Sequence, residues 1–181
     1  MKTKPIKLEG FKASAPTKKQ SEICSDITAY FADEFNSHVR MNLDVDVMKY
    51  DHYGLMVIAI DDNCNAESIN PQWLLPCDGS EWAVTNSSGE LETACKEYIR
   101  QTIWAFNADF LACHIDGLTA EDVNNLRGDK CEDINEAFYK LLDDFDSFAE
   151  DAISADGIGH LMGSYDGELR EWGDVFAIRI N

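Results

Sequence analysis

The chain has 181 residues, 45% of them apolar and 27% charged, with four Pro and eleven Gly, the composition of one globular domain with a core of its own. This excludes collagen-like, low-complexity and wholly disordered chains, and the longest purely apolar run, Leu55 to Ile60, falls far short of the roughly 20 residues a membrane span needs. Thirty-four Asp and Glu against 15 Lys and Arg leave a net charge of −19, more acidic than solubility requires.

The charge is unevenly placed. Residues 1–19 hold six Lys and one Glu, so a basic, flexible N-terminal arm over 1–17 is expected to precede a single acidic domain over 18–181. No apolar stretch or small-residue cleavage site follows the basic start, so the expected location is the cytoplasm. Thr17 to Gln20 reads as a capping box, and Ile23, Ile27, Tyr30, Phe31 and Phe35 predict a helix over 18–37. The period then changes to two. Val39, Met41, Leu43, Val45 and Val47 alternate with polar residues and predict a half-buried strand whose outer face carries Asp44 and Asp46. Tyr50 to Gly54 reads as a turn, and Leu55 to Ile60 as the next, more central strand of an antiparallel pair.

Residues 61–88 form a long connection with one short strand near 81–85. Ser87 to Glu90 is a second capping box, opening a helix over about 89–112 whose broad apolar stripe implies burial on more than one side. Thr119 to Asp122 starts a short helix ended by Gly128. Asp129 to Glu132 caps the next, in which Ile134, Phe138, Leu141, Leu142, Phe145, Phe148 and Ile153 make one stripe up to Gly157. Turns at Asp166-Gly167 and Gly173-Asp174, with Phe176 to Ile180 after them, predict a closing hairpin or pair of strands. Strands, then helices, then strands, without βαβ alternation, indicate an α+β fold: an antiparallel sheet with several packed helices.

Chemistry-bearing patterns are sparse. The six Cys (24, 64, 77, 95, 113, 131) have no CxxC spacing and the four His are scattered, so reduced thiols and no metal site are expected. Asp61-Asp62 and Asp143 to Asp146 do not meet a calcium-loop pattern, and Gly157 to His160 is too short for a phosphate loop. Cys113 and His114, adjacent on a helix, point about 100° apart and do not make a nucleophile–base dyad. No catalytic constellation emerges, so neither enzymatic activity nor a cofactor is expected.

The most informative feature is acidic. Residues 116–156 hold thirteen Asp and Glu against Arg127, Lys130 and Lys140, a net of −10. On one continuous helix Asp143, Asp146 and Glu150 would form a ladder of carboxylates about 5–6 Å apart, extended back by two turns to Glu136, a spacing like that of phosphates along a nucleic-acid strand. Such a surface attracts the Lys/Arg groove of a nucleic-acid-binding protein and repels nucleic acid itself. The candidate partner-binding residues are Asp133, Glu136, Asp143, Asp144, Asp146, Glu150 and Asp151, with Asp44 and Asp46 secondary. The competing reading is the solvated outer face of an amphipathic helix.

The final stretch, Ile158-Gly-His-Leu-Met-Gly-Ser-Tyr-Asp-Gly-Glu168 and Phe176-Ala-Ile-Arg-Ile-Asn181, resembles the tail of small acidic proteins of phages and mobile elements, some of which antagonise bacterial immunity. The resemblance covers about 24 residues and transfers no functional residue. It implies a non-enzymatic inhibitor of the anti-CRISPR or antirestriction type, including DNA mimics, that binds a CRISPR effector or a restriction enzyme. The alternative is an adaptor, or a homodimer, that uses an apolar patch around Trp73-Leu-Leu75 or Trp172, with acidity serving only solubility.

Overall fold

The computed structural model describes residues 21–23, 25–26, 44–61, 80–172 and 175–181, and the backbone alone at 44–46, 60–61 and 172. Strands β1 (Asp44–His52), β2 (Leu55–Asp61), β3 (Ser80–Thr85), β4 (Leu169–Trp172) and β5 (Val175–Arg179) form one sheet in the order β1-β2-β3-β5-β4. Every neighbouring pair is antiparallel. Between β3 and β4 come α1 (Ser88–Thr102), α2 (Ala108–Ala112), α3 (Ala120–Arg127), α4 (Asn135–Leu141), α5 (Phe145–Asp156) and α6 (Ile158–Met162), with 3-10 turns at Ile103–Ala105 and Cys131–Ile134. The architecture is the α+β arrangement expected. The N-terminal arm, the strand residues before Asp44 and the connection 62–79 lie outside the described residues. So does most of the helix expected over 18–37, of which 21–23 and 25–26 are helical, with Ile23 buried.

The first hairpin is longer than its alternation suggests. His52 pairs with Leu55 across Tyr53 and Gly54, whose φ of 53° and 90° fit the primed turn that matches strand twist. The turn is therefore tighter than the one expected over Tyr50 to Gly54. The strand reaches it because its register shifts: Val47 faces Ile58 and Asp51 faces Met56, so a bulge absorbs the non-alternating Met48 to Tyr50. The closing hairpin pairs Trp172 with Val175.

Helices pack on one face of the sheet, where Leu55, Ala83 and Ile178 join Leu91, Ala94, Cys95, Ile99, Ile103, Phe138 and Phe148 in a continuous core. The strand residues between them, Ile58, Trp82, Val84, Val175 and Ala177, point to the other face and are buried as well. On that side the Trp82 indole donates to Ser80 Oγ (3.0 Å), and the Arg170 guanidinium lies 4.9 Å from its ring centroid. Both the apolar body and the single polar atom of the tryptophan are thus satisfied.

Helix α1 starts as its capping residues predict, with one elaboration. Ser87 Oγ accepts from the Glu90 amide (3.3 Å), but the return bond runs through a third residue: the Ser87 amide donates to Thr85 Oγ1 (3.2 Å), which donates to the Glu90 carboxylate (2.6 Å). Two long helices expected from sequence are each broken. The 89–112 helix ends because Asn135 enters its ladder: Trp104 N donates to Asn135 Oδ1 (3.1 Å), and Asn135 Nδ2 donates to Arg100 O (2.7 Å). The side chain stands where the Trp104-to-Arg100 backbone bond of a continuing helix would form. Phe106 is then extended, and Asn107 caps α2 by accepting from the Asp109 amide.

The stripe from Ile134 to Ile153 is likewise divided among a 3-10 turn, α4 and α5. Leu142 turns extended, the Asp143 amide donates to His114 O (3.1 Å), and Asp144 opens α5 as a new N-cap. The apolar spacing survives the break because both pieces face the same core, which is why periodicity alone reads them as one helix. Helix α6 then packs against the backbone entering β4, where a Cβ on Gly159 would stand 2.3 Å from Leu169 N. His52 Nε2 meets Met162 O (3.2 Å) and joins the hairpin to the end of α6.

Candidate acidic interface

All thirteen acidic residues between 116 and 156 are exposed. Their local roles differ. Asp144 is a structural cap: Oδ1 accepts from the amides of Asp146 (3.0 Å) and Ser147 (3.4 Å), satisfying donors that the first turn of α5 leaves free. Asp122 does the same for α3, closing a reciprocal capping box with Thr119. The Thr119 hydroxyl and amide that donate to it hold its carboxyl below the usual aspartate range.

A second set is drawn into ion pairs by cations of α1. Lys96 reaches Asp146 (3.1 Å) and Glu92 (3.2 Å), and these bonds, Asp146 first, raise the lysine pKa. One turn later Arg100 lies near Glu97 (3.9 Å) and Glu136 (3.8 Å), with its guanidinium 4.8 Å from the Tyr139 ring centroid. Lys140 also approaches Glu136 (3.4 Å). Asp151 stands 3.6 Å from His114 Nε2, whose ring is packed between Phe110 and Phe148. Glu136 and Asp146 are therefore partly neutralised at home, whereas Asp151 faces only the His114 ring.

Asp133, Asp143 and Glu150 are different. Among the described residues none of their carboxylates makes an ion pair or hydrogen bond, and the same holds for Asp116, Glu121, Asp129, Glu132 and Asp156. These last five extend the acidic surface beyond the residues singled out from sequence; their one signal there was membership of the charge-rich stretch. The expected carboxylate ladder on a single helix does not form. Asp146 and Glu150 share a face of α5, Asp143 lies in the non-helical link before it, and Glu136 belongs to α4. Asp44 and Asp46 lie on edge strand β1, opposite Asp61 and Ala59, in a different element from the helical carboxylates.

Arg127, one of three bases in the stretch, is turned inward and donates to Phe106 O (2.6 Å).

Cys95 is buried, and burial followed by nearby Glu92 pushes its thiol up to about 12, leaving it unreactive; Cys113 and Cys131 are exposed free thiols. Among the described residues Cys113 makes no hydrogen bond to His114, no three His, Cys, Asp or Glu converge as a metal ion requires, and no helix is long and apolar enough to cross a membrane. Trp73 to Leu75 and the Trp172 side chain, on which an apolar docking patch would rest, lie outside the described residues. No family model, curated protein or solved structure matches the chain.

Proposed function

We propose that this protein is a non-enzymatic inhibitor of a bacterial defence nuclease, a CRISPR effector or a restriction enzyme, and that it occupies the basic nucleic-acid-binding surface of its target with its own acidic helical surface. The observation that carries the reading is that all thirteen acidic residues of 116–156 are exposed, most of them without an ion pair among the described residues. A net charge of −19 held in a compact body repels itself, and a cationic groove relieves that repulsion through the same Coulomb and counterion terms by which it binds DNA. The broken ladder alters the detail. Instead of a single row of carboxylates, the proposed contact draws on exposed carboxylates of several short elements, led by Asp133, Asp143 and Glu150, which are unpaired among the described residues, with Asp146 and Glu136 available only in competition with Lys96, Arg100 and Lys140.

The test is DNA cleavage by purified restriction enzymes and CRISPR effectors, with and without the protein, at roughly 50 and 300 mM salt, where screening differs most between exposed charges. Inhibition is expected at low salt, and it is expected to be relieved both by salt and by excess duplex DNA. The triple substitution Asp133→Lys, Asp143→Lys, Glu150→Lys is expected to abolish inhibition while leaving the circular-dichroism spectrum intact. Inhibition indifferent to salt and to the triple substitution overturns the reading.

A further inference from the structure

We draw no further inference here: the strongest candidate, the group of exposed carboxylates around the connection from α3 to α4 (Glu121, Asp129, Glu132 and Asp133), belongs to the acidic surface already described, and nothing else in the structure says which ligand it would take.

Discussion

Asn135 shows how one side chain decides where a helix stops. Its carboxamide supplies both an acceptor to Trp104 N and a donor to Arg100 O, the two groups that would otherwise bond each other as α1 continued. Asn135→Leu keeps the approximate volume and removes both bonds, and is expected to cost about 1–3 kcal/mol in chemical denaturation because two partly buried backbone groups lose their partners. Gly159 acts through absence. Any Cβ there meets Leu169 N, Glu168 C and Gly167 O at 2.3–2.8 Å, all of them backbone atoms that no rotamer change can move. Gly159→Ala is expected to destabilise by about 1–3 kcal/mol or more. Gly89→Ala, at an exposed site of α1 where the nearest atom is 3.9 Å away, is expected to leave the melting temperature unchanged or raise it. Neither the Asn135 contact nor the Gly159 contact can be read from local sequence, since each partner lies in another element.

At the scale of elements, starts were easier to read than continuations. The capping sequences at Ser87 and Thr119 both act as caps, because a cap is a bond within four residues and local sequence suffices for it. The break at Leu142–Asp144 was hidden, since Leu141, Leu142, Phe145 and Phe148 keep a helical spacing across it. Asp144 is what that break makes important: Asp144→Ala is expected to lower stability by about 1 kcal/mol through loss of the α5 cap, with Asp144→Ser retaining most of it. Glu150→Ala, a surface change without a partner, is expected to stay within about 0.5 kcal/mol. These variants separate two roles that the acidic stretch mixes, since a cap mutation changes the unfolding midpoint and a surface mutation does not. The ion pairs of Lys96 and Arg100 link α1 to α5 and α4, but each is solvent-accessible and contributes only about 0–1 kcal/mol.

For the whole molecule, His52 gives stability a pH dependence with a definite sign. Burial lowers its pKa, against the raising influence of the Met162 carbonyl and Asp51, so between the folded value and the ordinary ~6.5 the unfolded chain holds the proton more tightly. Stability is therefore complete above about pH 6.5 and declines as pH falls through the folded pKa. His52→Gln, which keeps a donor for Met162 O, is expected to flatten the change in unfolding midpoint between roughly pH 7.5 and 5.5; an unchanged slope removes His52 as its cause. Asp166 acts lower. Its burial raises the carboxyl pKa, but Arg170 and the Glu168 amide outweigh that and hold it down, so its contribution fades only below about pH 4. The same scale separates what composition and pattern determine from what folding adds. Composition alone determined the surplus of negative charge, and periodicity and turn residues determined the α+β class, the hairpins and the capped starts at Ser87 and Thr119, whose signals lie a few residues apart; the cap expected at Asp129 to Glu132 does not form, because a 3-10 turn with Lys130 at its start and no side-chain cap takes its place. Tertiary structure alone decided where the two long helices break, and that Lys96 also takes up Asp146 and Arg100 also takes up Glu136. Those outcomes depend on residues such as Asn135 and His114 reaching an element distant in sequence, a juxtaposition that exists only once the helices have packed on the sheet.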